Sequence, residues 1–306
     1  MNHIDAIRMR NKQCSNLKGF LYASGGLLLV STNFLTAKYG LKGFNPETFS
    51  AVWTSAAALY AFFIILLSGH SKQLRLPKGA ILKTFFLGLA TGIGMILGWS
   101  GLALLDPSFA SFLWRFSPVM TVVLSTVFLG ERLKPRELVG FGIMVFGGVI
   151  SSVGQWQVVG AGIVLTLLAC GAVSIQMLFA KEKITQVHPN ILVFYRVGIA
   201  ALFIIIWTLI RRKFDINVGT SYWLITLLGA FLGPCASFLL TFRSYRYWDL
   251  SCSSIVLTAQ PLIVLPMAAL VFGNIPAGRE LLGGLLILAG AFWLALSQHR
   301  PISGYH

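Results

Sequence analysis

Ten runs of about twenty apolar residues, separated by gaps mostly under a dozen residues long, leave this chain few ways to fold. Their limits are 19–37, 47–68, 80–104, 107–129, 135–153, 158–180, 190–210, 221–243, 250–272 and 277–298. A helix needs about twenty apolar residues to cross a hydrocarbon layer of about 30 Å. Inside that layer only helices and closed barrels satisfy their own backbone groups. Ten spans on 306 residues leave no stretch for a soluble domain, and charged residues make up only 11% of the chain, against about a quarter in soluble proteins. The expectation is an all-α integral membrane protein. Residues 1–17, with Arg8, Arg10 and Lys12, have the basic start of a signal peptide, but the run that follows is long and lacks a clear cleavage site. It reads as a retained first helix.

Sliding the chain along itself by 143 positions brings its halves into register. Gly19, Ala37, Lys38 and Pro46 fall on Gly162, Ala180, Lys181 and Pro189, and Asn33 falls on Gln176. Asp106, Ser108, Ser111, Pro118, Gly130, Arg136, Glu137, Gly140 and Gly147 fall on Asp249, Ser251, Ser254, Pro261, Gly273, Arg279, Glu280, Gly283 and Gly290. The third and eighth spans need a small gap, since Gly88 best matches Gly229. Five helices per half is an odd number, so the second half enters the membrane inverted. The expected architecture is ten transmembrane helices as two inverted five-helix repeats, with a site near the midplane between them. The division is a tail over 1–17, a first repeat over 18–153, a second over 158–298 and a tail over 299–306.

The formal charge of +15 would suggest a nucleic-acid partner in a soluble protein, but here the cations occupy short gaps between spans. Counted by alternate loops with the N-terminus cytoplasmic, sixteen Lys and Arg lie inside and six outside. The expected location is the cytoplasmic (inner) membrane, multi-pass, with both termini cytoplasmic. The two remaining cations, Arg115 and Arg196, lie within spans. Cys14, Cys170, Cys235 and Cys252 are far apart, so neither a disulfide framework nor a metal site is signalled, and no cofactor motif appears. The partners expected are a small-molecule substrate and the bilayer, with monomer and homodimer both open.

The segment Asp106-Pro107-Ser108-Phe109-Ala110-Ser111, followed by Pro118, Gly130-Glu131-Arg132-Leu133, Gly140 and Gly147, resembles the drug/metabolite transporter superfamily. Within it, the chain is similar to the EamA-type ten-helix carriers from about residue 18 to residue 298, and the second half repeats the pattern with Asp249, Pro261, Gly273, Gly283 and Gly290. Arg196 also resembles an arginine common in those repeats. Asn274 stands where the loop glutamate would be, and Trp53 where the first half would carry its own arginine. The resemblance implies movement of small polar metabolites, often amino acids, by alternating access.

Ser108, Ser111, Arg115, Pro118, Val122 and Ser125 share one face of the fourth helix, and Ser251, Ser254, Thr258 and Pro261 repeat it in the ninth. Such stripes suit either a cavity wall or close helix packing. Arg115 lies about 13 Å below the outer interface, where an arginine costs several kcal/mol unless compensated. Binding a substrate carboxylate or phosphate would compensate it, as would a backbone carbonyl freed near Pro118. Arg196 lies about 9 Å from the cytoplasmic edge, where it can reach headgroups. Asn33, Gln176 and Gln260 are amides suited to zwitterions or to interhelical hydrogen bonds, and Tyr195 adds a hydroxyl beside Arg196. Trp53, Trp99 and Trp114 lie within spans and are candidates for lining a cavity. Pro118 and Pro261 are the expected hinges. Ala90, Gly94 and Gly98 form a small-residue seam in the third helix.

No Asp or Glu falls mid-span, which favours export, exchange or facilitated diffusion over proton coupling. A membrane-embedded enzyme is the competing class, but all five histidines fall in tails or loops and no catalytic dyad lies at depth. A lipid scramblase or non-transporting subunit would instead turn its polar faces outward to lipid.

Overall fold

A computed structural model describes residues 3–69, 74, 76–117, 120, 124, 135–152, 156–183, 187–247, 256–273 and 277–298, with backbone alone over 3–16. The described residues form helices and no strands. The helices are α1 (His3–Gly40), α2 (Pro46–Leu67), α3 (Lys78–Leu104), α4 (Pro107–Leu113), α5 (Pro135–Ser152), α6 (Trp156–Lys183) and α7 (Pro189–Ile210). Then α8 runs continuously through Thr220–Ala230, a π-helical stretch Phe231–Ser237 and Phe238–Tyr247, followed by α9 (Gln260–Phe272) and α10 (Gly278–Gln298). The N-terminal tail is itself helical from His3, an extension of α1 ahead of its apolar stretch Leu17–Gly40.

Several loop prolines that look like breakers serve as helix starts. At α2, Asn45 Oδ1 accepts from the Thr48 amide at 2.8 Å and Pro46 takes the first turn. At α4, Asp106 Oδ1 accepts from the Ser108 amide at 2.8 Å, with Pro107 following. Proline there has no donor to lose and a φ already set for the helix.

The halves interlock. The first helix of each half lies along the third helix of the other, α1 against α8 and α6 against α3, while α5 pairs with α10 and α4 with α9. Each contact maps onto its mate under the repeat, as a pseudo-twofold axis in the membrane plane requires. Glycines set the closest seams. A Cβ on Gly147 of α5 would lie 2.6 Å from the Gly283 carbonyl oxygen of α10. Its repeat mate Gly290 would place one 2.6 Å from the carbonyl oxygen of Gly140, the mate of Gly283. The α3 seam lies against α6, with Gly94 facing Ala172, and Gly98 facing Trp114 and Ala169.

At one end of the bundle, called here the Lys38 mouth, Lys38 Nζ donates to the carbonyls of Leu102, Ala103 and Leu105 at 3.0, 2.9 and 2.7 Å. These close the C-terminus of α3, where backbone carbonyls lack helical partners and favour a cation. All three ammonium hydrogens are therefore used. Lys38→Met is expected to lower the melting temperature in detergent, through a loss of about 2–3 kcal/mol for hydrogen bonds from a charged donor. An unchanged melt would show that water replaces the ammonium without cost.

Candidate functional site

The two repeat-related helices that face each other, α4 and α9, are both interrupted at depth. After Leu113, α4 gives way to a turn at Trp114 and Arg115, with Arg115 N donating to Phe112 O at 3.0 Å and Ser117 N to Trp114 O at 3.2 Å. Before α9, the helical residues Val256 to Thr258 break at Ala259, whose amide donates to Val256 O at 3.0 Å. Each break lies just ahead of a proline, Pro118 and Pro261. A proline cannot donate to the carbonyl four residues back and its ring clashes with it, so the carbonyls lacking their usual helical partner are those of Trp114 and Leu257. Pro118 itself lies outside the described residues, and Pro261 stands in the first turn of α9.

Arg115 fills the second vacancy. Its Nη1 donates to Leu257 O at 2.9 Å, and its Nη2 donates to Gln260 Oε1. Gln260 in turn donates from Nε2 to Val30 O of α1 at 3.1 Å. Three helices from both halves thus meet on one guanidinium, whose Nε is buried with no hydrogen-bond partner. Among the described residues, Leu257 O and Gln260 Oε1 are the acceptors of the guanidinium. Thr258, buried, lies beside the Leu257 carbonyl. Cys170 of α6 also approaches Arg115, its thiol 3.6 Å from Leu113 O.

An aromatic layer lies between this crossing and the Lys38 mouth. Phe49, Trp53 and Trp99 pack mutually, with ring centroids 5.2, 5.6 and 5.3 Å apart. Trp53 is 1% exposed and Trp99 9%. Trp114 meets Phe34 edge-on at 6.4 Å and rests on Gly98. Trp53 and Trp99 thus pack on each other, and Trp53 presses on Gly229 of α8. Trp99 Nε1 is buried without a partner.

The remaining candidates separate. Ser111 is fully buried and its hydroxyl donates to Ser108 O at 2.7 Å, while Ser108 Oγ is buried without a partner, and Val122 and Ser125 of the stripe lie outside the described residues. Asn33 lies over Gly233 in the π-helical stretch of α8, its Oδ1 buried and unpartnered. Its repeat mate Gln176 accepts at Oε1 from Thr91 Oγ1 of α3 at 3.0 Å. The two amides thus occupy mirrored seams, α1 on α8 and α6 on α3. Tyr195 Oη donates to Leu74 O at 2.7 Å, in an apolar cluster with Leu76, Phe179 and Phe194 away from the Arg115 crossing. Arg196, 7% exposed, turns from α7 toward Cys235 of α8.

The π-helical stretch and the Leu257 carbonyl escape a reading of the sequence. The signal for the first is Gly233-Pro234 inside an apolar run, since a widened turn accommodates a proline that the α-helical ladder rejects.

Comparison with known proteins places this geometry in a family. The description "EamA-like transporter family" matches the chain twice, over residues 17–153 and 160–296. A Bacillus subtilis (strain 168) protein named an uncharacterized transporter, YxxF, is 24% identical over 260 residues, covering 80% of each chain. An uncharacterized transporter of Archaeoglobus fulgidus is 24% identical over 270 residues, 85% of this chain and 92% of the relative. A solved crystal structure superposes with a TM-score of 0.62 at 20% identity, over 93% of this chain and 97% of the other, a likeness of fold. Two matched repeats, membrane-length apolar helices and interlocked halves have one reading: the chain is a multi-pass membrane protein that belongs to the EamA-like transporter family.

Proposed function

We propose that this transporter moves a small carboxylate-bearing metabolite, such as an amino acid, across the cytoplasmic membrane by alternating access. The observation that carries the reading is the Arg115 guanidinium, held at the crossing of the two broken helices with Nε buried and unpartnered. Its free edge, Nε with the adjacent Nη hydrogen, matches the two oxygens of a carboxylate. One positive charge at a buried site balances one negative charge, which favours a monoanion over a phosphate dianion. Trp114 and Trp99 beside it supply an apolar wall for the rest of the solute, and the Asn33 and Trp99 polar atoms left unpartnered suit a zwitterion's remaining groups. The excess of Lys and Arg in alternate loops supports cytoplasmic termini, which makes the Lys38 mouth the outer one. The absence of mid-span acids in the sequence supports exchange, export or facilitated diffusion over proton coupling.

A thermal-shift panel on purified protein tests the binding. Amino acids and simple aromatic carboxylates are expected to raise the melting temperature, because a ligand that binds only the folded state stabilises it. The matching amides are expected to leave it unchanged, and inorganic phosphate to act weakly. Equal shifts from acids and amides would remove Arg115 from the recognition.

A further inference from the structure

Six contacts tie the halves together at the Lys38 mouth, all made by the short α1–α2 connection and the first turn of α2. Lys42 Nζ lies 4.8 Å from the centroid of the Phe272 ring at the end of α9. Gly43 is pressed onto the Tyr222 ring of α8, where a Cβ would come within 2.5 Å of Tyr222 Cγ. Phe44, buried, meets Trp223 edge-on at 5.0 Å. Behind them, Asn45 Nδ2 and Thr48 Oγ1 both donate to Lys213 O, at 2.8 and 2.7 Å, and the Asp215 amide donates back to Thr48 Oγ1 at 3.0 Å. Residues 42–48 belong to the first half and residues 213–272 to the second, so the connection is a strap across the mouth.

An inverted repeat should build the same strap at the opposite mouth, but the sequence there has other residues, and the mate of Phe44, Val187, packs instead in an apolar cluster with Ile65, Ala80 and Ile191. Shifted by 143, Lys42, Gly43 and Phe44 become Thr185, Gln186 and Val187, and Phe272 comes from Leu129. With the small gap of the third and eighth spans, Tyr222 and Trp223 correspond to Ile81 and Leu82, both exposed on α3. The cation, the glycine socket and three aromatic partners are all lost from the second copy. A symmetric carrier would open at either mouth with equal free energy, so straps built from different residues at the two mouths shift the balance between the two states.

We infer that the Leu41–Asn45 strap is a latch that holds the unliganded transporter closed at the Lys38 mouth, through a cation and a glycine socket that the repeat mates Thr185 and Gln186 do not supply, and so sets its resting state. The inference uses the family's transport and the repeat, and is independent of which solute Arg115 takes. The latch works by differential contact: Lys42 on Phe272 and Gly43 on Tyr222 exist only when this mouth is shut, and a solute must offset them to open it.

Distances across the mouth test it. Nitroxides at Leu104 and Leu270, both exposed, are attached to protein whose native cysteines are replaced, and their separation is measured by double electron–electron resonance without solute. The unmodified latch is expected to give one short distance. Lys42→Ala, at an exposed residue, and Phe272→Ala are each expected to add a longer-distance population, raised roughly two- to fivefold by loss of a surface cation–π contact. The double variant Gly43→Cys with Tyr222→Cys removes the ring that fills the socket and places two β-carbons within disulfide reach. It is expected to cross-link spontaneously and abolish the longer population until reduced. A distance distribution unmoved by Lys42→Ala and Phe272→Ala would overturn the inference. So would a folded, monodisperse double cysteine variant that forms no disulfide.

Discussion

Arg115→Ala is expected to weaken binding of the stabilising carboxylate about ten- to a hundredfold, the equivalent of one charge-assisted hydrogen-bonded contact. The variant also leaves Leu257 O and Gln260 Oε1 without their donor, each at about 1–3 kcal/mol if no water enters. Binding and folding would therefore fall together, and alanine alone cannot separate them. Two companions do. Arg115→Lys keeps the charge but not the planar fork, so it should bind the anion less tightly while retaining part of the stability. Gln260→Glu sets a carboxylate against the guanidinium in place of an amide, keeping the contact and cancelling the charge. It also replaces the Nε2 donor to Val30 O by a carboxylate oxygen, so it is expected to lose anion binding with a melting temperature below the parent's but above that of Arg115→Ala. If folded Arg115→Ala protein and Gln260→Glu protein both keep the ligand shift of the parent, Arg115 is a structural clamp between halves and the proposed site is wrong.

Gly147→Leu is expected to lower stability sharply. A Cβ at this position meets the Gly283 carbonyl at 2.6 Å, Leu286 Cβ at 2.8 Å and the Ile287 amide nitrogen at 2.9 Å. Two of those atoms are backbone, so no rotamer change relieves the clash, and α5 must separate from α10 along its length. Overpacking of a tight seam costs about 1–3 kcal/mol even where side chains can yield, and here the cost falls at or above that range. The measurement is the monodisperse fraction and melting temperature after detergent extraction. Gly142→Leu is the control, since nothing lies within 4 Å of its Cβ position. A Gly147→Leu protein as stable as Gly142→Leu would show that the α5–α10 seam is looser than its geometry.

The glycine seam was legible in the sequence, because Gly140, Gly147, Gly283 and Gly290 recur at the repeat offset and small residues at helical spacing invite close approach. The helix breaks were legible as prolines, though they fall at Trp114–Arg115 and Ala259, ahead of each ring, because the lost bond is the one four residues back. The pairing of Arg115 with the carbonyl that Pro261 frees was not legible. It joins residues 142 positions apart on opposite halves, and a sequence holds identities without distances. Ser111 illustrates another limit: a serine in a helix can return its proton to its own preceding turn, which periodicity does not reveal. Tyr195 and Arg196 are neighbours in sequence yet diverge, since successive residues on a helix point about 100° apart.

The interlocking of the halves bears on how the protein is made. The long partner of α1 is α8, whose first residue, Thr220, is translated 180 residues after α1 ends at Gly40. At ribosomal rates of about 5–20 residues per second that is a wait of about ten to forty seconds. Throughout it, Gly25, Gly26 and the Asn33 amide lack the partners they later meet, Leu240, Thr241 and Gly233. Biogenesis of this carrier therefore ends as a late docking step, in which the earliest helix is the one that waits longest for its neighbour.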